Sequence, residues 1–217
     1  MKNKRLLLLL FICMFFLVGC TNINKLSYDD VVNTLSVIDR KSNVYKKGFD
    51  FYMPMGLQIE DAGNNYVIFS SNRYNYYLYV DMISYINKKE IKYEKNDKAL
   101  YSEKIKYDNK SGYVEINLWE NDKYLIEIMY NYAKIEVMVD SDDIKVALLK
   151  SINILKSVKY KDIAINNMLN DDNLDSTEEI FDMFKNAKKN DSTLTSDGDV
   201  VEQDKVSEEV KDTDFIE

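Results

Sequence analysis

The chain has 217 residues with 29 basic and 37 acidic side chains, a formal charge of −8, no histidine and two cysteines. Without histidine there is neither an imidazole general base nor a histidine-ligated zinc, and the acidic balance provides no basic face for nucleic acid. Ten acids and only two lysines fall between Asn190 and Glu217, so the imbalance sits in the C-terminal tail and the rest of the chain is nearly balanced.

At the N-terminus Lys2, Lys4 and Arg5 precede a 13-residue apolar run from Leu6 to Val18. A hydrocarbon core needs about 20 residues, so residues 1–19 read as a secretory signal peptide and not as a membrane span. Leu17-Val18-Gly19-Cys20 closes this run and resembles the lipobox of bacterial lipoproteins. The resemblance implies cleavage after Gly19, diacylation of Cys20 and a mature chain anchored on the extracytoplasmic face of the cell membrane. Two acyl chains give durable attachment where one gives only marginal binding. Cys13 leaves with the signal and Cys20 carries the lipid, so no disulfide staples the mature domain.

Residues 20–26 read as a polar tether. Ser27 then opens a helical pattern, with Asp29 and Asp30 near the positive helix end and Val31, Leu35 and Ile38 on one face. From Gly48 the period falls to two, with Phe49, Phe51 and Met53 alternating before the turn Pro54-Met55-Gly56. Strands are expected at 57–60, 66–70, 76–86, 100–107, 113–119 and 124–139, the last as two strands or one bent one. Their short polar connections favour antiparallel neighbours. Asp140-Ser141-Asp142-Asp143 starts a second helix that carries Ile144, Leu148, Ile152 and Leu155 on one face. The predicted fold is α+β: a mostly antiparallel sheet flanked by an N-terminal and a C-terminal helix within a domain at 27–160. A helical extension is expected at 161–189, where Ser176-Thr177-Glu178-Glu179 forms a capping-box pattern. A disordered acidic tail is expected at 190–217.

The segment Gly48-Phe49-Asp50-Phe51-Tyr52-Met53-Pro54-Met55-Gly56-Leu57 is similar to the opening strand and Pro-x-Gly turn of PsbP-like domains, although Leu57 stands where those often have an aromatic residue. That resemblance implies a non-enzymatic, assembly-accessory role at a membrane.

Three groups of residues carry chemistry. Asp81, Glu115, Glu127 and Glu136 sit in or beside predicted strands, where a pair at the right separation would serve glycan hydrolysis, although solvated strand carboxylates are the ordinary case. Asp171, Asn173, Asp175, Thr177, Glu179 and Asp182 follow a calcium-loop register, but Ser176 stands in place of its glycine and Asp182 in place of its bidentate glutamate. Finally Tyr74, Tyr76, Tyr77 and Tyr79, with Trp119, form a candidate binding face. Alternation puts Tyr77 and Tyr79 on one side of the sheet and Tyr74 and Tyr76 on the other. The function expected is that of a membrane-anchored, non-catalytic lipoprotein that needs no cofactor and binds a protein or envelope partner. The alternatives are a small-ligand or calcium-sensing lipoprotein and a carboxylate-based cell-wall glycan hydrolase.

Overall fold

A computed structural model describes residues 23–71 and 73–170. Gly19, Cys20, the calcium register from Asp171 and the acidic tail lie outside the described residues.

The protein is α+β, with two antiparallel sheets and a few helices. The larger sheet has seven strands: β3 (Gln58–Ala62), β4 (Tyr66–Ser70), β5 (Asn75–Val80), β6 (Tyr101–Tyr107), β7 (Lys110–Leu118), β8 (Tyr124–Tyr130) and β9 (Ala133–Val139). Their spatial order is β3-β4-β5-β9-β8-β7-β6. The smaller sheet pairs β2 (Phe49–Phe51) with β1 (Val44–Tyr45) on one side and β10 (Lys159–Tyr160) on the other. The helices are α1 (Tyr28–Asn33), α2 (Met82–Asn87), α3 (Ile144–Ser157) and α4 (Asp162–Asn170).

Helix α1 begins where the sequence places it. The Ser27 hydroxyl accepts the Asp30 N–H at 3.0 Å while the Asp30 carboxylate accepts the Ser27 N–H at 3.0 Å, a reciprocal capping box. The α-turns end at Asn33 and a 3₁₀ turn, Thr34–Ser36, carries the chain on, burying Val31 and Leu35. Helix α3 lies across β8 and β9. Its Ile144, Leu148, Ile152 and Leu155 join Ile126, Ile128, Ile135 and Val137 in one buried cluster. Full burial of each such side chain is worth about 1.5–3 kcal/mol, so this interface contributes strongly to stability.

Two expectations are corrected. Residues 76–86 do not form a single strand: β5 stops at Val80, and the Asp81 carboxylate accepts the Ser84 N–H at 2.8 Å to cap α2. Asp81 also donates its own N–H to Tyr132 O at 2.8 Å, which turns the chain out of the sheet. The alternating strand around Phe49 does not join the main sheet either. It pairs with β10 from the other end of the domain, with Asp50 opposite Lys159. The run 124–139 resolves into two strands joined at Asn131 and Tyr132, both in the left-handed region at φ 51° and 64°.

Candidate functional site

The face of the large sheet away from α3 carries cross-strand rows of side chains. One row runs Tyr77, Glu136, Glu127, Glu115 and Ser102 across β5, β9, β8, β7 and β6. Three carboxylates thus stand on neighbouring strands, an arrangement that like-charge repulsion disfavours unless each has a partner. Each has one. Lys134 Nζ donates to Glu136 Oε1 at 2.9 Å in an ion pair whose side chains are 4% and 2% exposed. The Tyr113 hydroxyl donates to Glu127, itself buried. Glu115 accepts from the Tyr93 hydroxyl at 2.5 Å, from Asn96 Nδ2 at 2.8 Å and from Asn117 Nδ2 at 2.8 Å.

Two of these donors come from an irregular segment, residues 88–100, laid over this face. It leaves α2 through Lys88, whose φ of 52° ends the helix in a left-handed cap. Tyr93 then stacks on Tyr113 with ring centroids 4.2 Å apart and planes 1° from parallel. Asn96 N–H donates to Ser102 Oγ at 2.9 Å, and Lys95 pairs with Glu103. Burial, reinforced by the bond to the Glu115 carboxylate, pushes the Tyr93 hydroxyl up to about 12.

Beside this cover is a cavity of about 660 Å³. Its floor is the next cross-strand row, Tyr79, Lys134, Met129 and Tyr113. Tyr132 and the start of α2 form one wall, and Lys89, Glu90, Ile91 and Lys92 form the rim. The volume lies in the range of small-molecule sites, and the lining combines aromatic and apolar side chains with polar ones, among them Asp81, Ser84 and Lys134. The geometry is held by the backbone. Gly112 on β7 approaches β8 so closely that a Cβ there would stand 1.9 Å from Met129 O. Tyr132 keeps its left-handed backbone through the bond from Asp81, with its ring edge-on to Tyr85 at 6.0 Å. Tyr85 in turn stacks on Tyr160 at 3.7 Å. Burial, with the nearby Asp81 charge, pushes Tyr79 up to about 12, so its hydroxyl stays protonated at neutral pH.

The five aromatic residues of the expected binding face separate. Tyr77 and Tyr79 do share the face away from α3, and Tyr79 lines the cavity. Tyr76 is 1% exposed, in the core, and reaches only a second cavity, of about 310 Å³, on the other side. Tyr74 belongs to that second cavity; its hydroxyl donates to Asp143 at 2.6 Å and Asp140 at 2.8 Å. Arg73 and Lys123 close that network by pairing with Asp143 and Asp140. Trp119 is half-buried at the end of β7, outside both cavities.

The strand carboxylates are not a solvated row. Glu127 and Glu136 are buried and engaged, and Asp81 caps α2. Among the described residues no group of three or more acids or cysteines could hold a metal ion. Met129, Tyr132 and the rim at 89–92 were not legible as site residues. Only their placement on the face of Tyr79 and Tyr113 could have pointed to them, and that depends on strand pairing. Among the described residues no helix is long and apolar enough to cross a membrane. No protein-family model matches the chain and no curated protein matches it.

Proposed function

We propose that this protein is a lipid-anchored, extracytoplasmic binding lipoprotein, non-catalytic, that takes a protein or envelope component at the cavity on the sheet face away from α3. The cavity carries this reading: about 660 Å³ with a Tyr79, Lys134, Met129 and Tyr113 floor and an exposed, charged rim. The aromatic and methionine side chains of the floor supply affinity through buried area, and rim charges set orientation. A non-catalytic role agrees with carboxylates committed to structural partners and two of them shielded from substrate. The anchor rests on Leu17-Val18-Gly19-Cys20, and an accessory role at a membrane agrees with the likeness of residues 48–57 to PsbP-like domains.

In-cell photocrosslinking tests the site. A photoreactive residue replacing Lys92 at the rim should yield a discrete adduct, while the same residue replacing Lys47, exposed in the turn between β1 and β2, should not. Equal adducts from both positions, or none from Lys92, would remove the cavity as the binding site. An alkyne-palmitate probe should label the chain and fail to label Cys20→Ala; labelling of both would remove the anchor.

A further inference from the structure

The point where the chain enters the domain determines which way the cavity faces, given the lipid anchor proposed above. The domain begins only three residues after Cys20. Ile23–Lys25 form a 3₁₀ turn against α3, where Lys145 Nζ donates to Asn24 O at 2.9 Å, and Ile23 and Leu26 pack on the core. Residues 23–26, expected as part of a tether, are therefore held on the domain. From Cys20 to Ile23 the covalent chain spans at most roughly 11 Å, whatever its conformation. An acylated Cys20 thus keeps Ile23 next to the bilayer.

That entry point lies at one particular end of the large sheet. Tyr28, just after the turn, packs on Tyr101 with ring centroids 5.3 Å apart and planes tilted by 43°, and the Tyr101 hydroxyl donates to Asp29 at 2.6 Å. Tyr101 opens β6; Leu118 closes β7 directly opposite Tyr124, which opens β8; and α3 begins where β9 ends. At this same end Leu118 is 61% exposed and Leu100 49% exposed, with Trp119 beside Leu118. Exposed leucines next to a half-buried tryptophan suit the membrane interface. Glu120 and Asp122 rim them, so the contact does not depend on attraction to anionic lipid.

The cavity occupies the opposite end and the opposite face. Its Met129 lies five residues along β8 from Tyr124, about 17 Å at strand spacing, and its other floor residues sit beside it on β5, β9 and β7. Entry of the chain is on the α3 side, whereas the cavity opens on the side away from α3.

We infer that the Leu100 and Leu118 end of the sheet rests on the bilayer surface and the cavity opens away from it, so its ligand arrives from the aqueous envelope and not from the lipid. This makes the anchor a positioning device as well as an attachment. It rests on acylation of Cys20, and the test separates the two.

The described domain has no cysteine, so single-cysteine variants of the full acylated chain label cleanly. Leu118→Cys and, as a second position at the same end, Glu120→Cys are compared with Lys92→Cys at the cavity rim. Each carries an NBD fluorophore in phosphatidylcholine vesicles containing lipid spin-labelled near the headgroup. Quenching at positions 118 and 120 should exceed that at 92 several-fold. Equal quenching, or stronger quenching at 92, overturns the orientation while leaving the anchor intact. Mass spectrometry of the same preparations showing no acyl group on Cys20 overturns the anchor and the orientation with it.

Discussion

Removing the cation from the buried pair under the cavity tests whether the sheet face is as closed as its geometry indicates. Lys134→Met retains an apolar stem of similar length but removes the ammonium that pairs with the Glu136 carboxylate at 2.9 Å. That carboxylate is 2% exposed. Stranding one member of a buried pair costs about 3–5 kcal/mol. In a domain of this size each kcal/mol lowers Tm by about 2–4 °C, so the variant should melt roughly 6–20 °C lower. The double variant Lys134→Met/Glu136→Leu removes both charges and should recover most of the loss, because an apolar replacement of a buried pair is often neutral. Urea denaturation followed by Trp119 fluorescence, analysed as a double-mutant cycle, reads both effects. A single variant costing under about 1 kcal/mol would show that water reaches Glu136, and a double variant as unstable as the sum of the singles would show that packing, not charge, holds the row; either refutes the reasoning.

Gly112→Ala should destabilise by about 1–3 kcal/mol, because its Cβ would meet Met129 O at 1.9 Å and force β7 from β8; a loss within experimental error would contradict that close approach. Tyr93, raised from 10.0 to about 12 by burial and by Glu115, favours the folded state while it stays protonated. Its contribution is complete below pH 10.0 and disappears as pH rises toward 12, so Tyr93→Phe should flatten the alkaline limb of the stability profile between those values. Asp140 is lowered from 3.8 chiefly by hydrogen bonds from Lys123 and Tyr74, so its contribution is present above pH 3.8 and lost as pH falls through its folded value. Asp140→Asn should therefore weaken the acid dependence of unfolding, measured as the change of urea midpoint between pH 5 and pH 3, roughly the range over which carboxylates titrate. Ser27→Ala removes the hydroxyl half of the α1 capping box and should cost about 0.5–2 kcal/mol by the same denaturation assay.

Local chemistry in the sequence was sufficient for most elements and for the faces of strands. Ser27 marked α1, alternation separated Tyr77 and Tyr79 from Tyr76, and the α3 stripe of Ile144, Leu148, Ile152 and Leu155 is the stripe that is buried. These features were legible because caps and side-chain periods are properties of a few consecutive residues. Residues 82–86 resisted this reading: Met82 to Ile86 continue a largely apolar run, and α2 starts there because Asp81 both caps it through the Ser84 N–H and bonds to Tyr132, fifty-one positions away. The small sheet depended on β10, over a hundred residues beyond β2, and the cover at 88–100 has no period because its bonds run to Ser102 and Glu115 on other strands.

The candidate site divides in the same way. The sequence alone determined the composition of the chain, the apolar run from Leu6 to Val18 that precedes Gly19 and Cys20, and the presence of tyrosines and glutamates in strands. Only the tertiary structure decided that three of those glutamates lie side by side, that a lysine is buried with one of them, and that a cavity opens over Tyr79, Met129 and Tyr113. A period of two assigns a residue to a face, but what covers that face is decided by strand order and by segments distant in the chain.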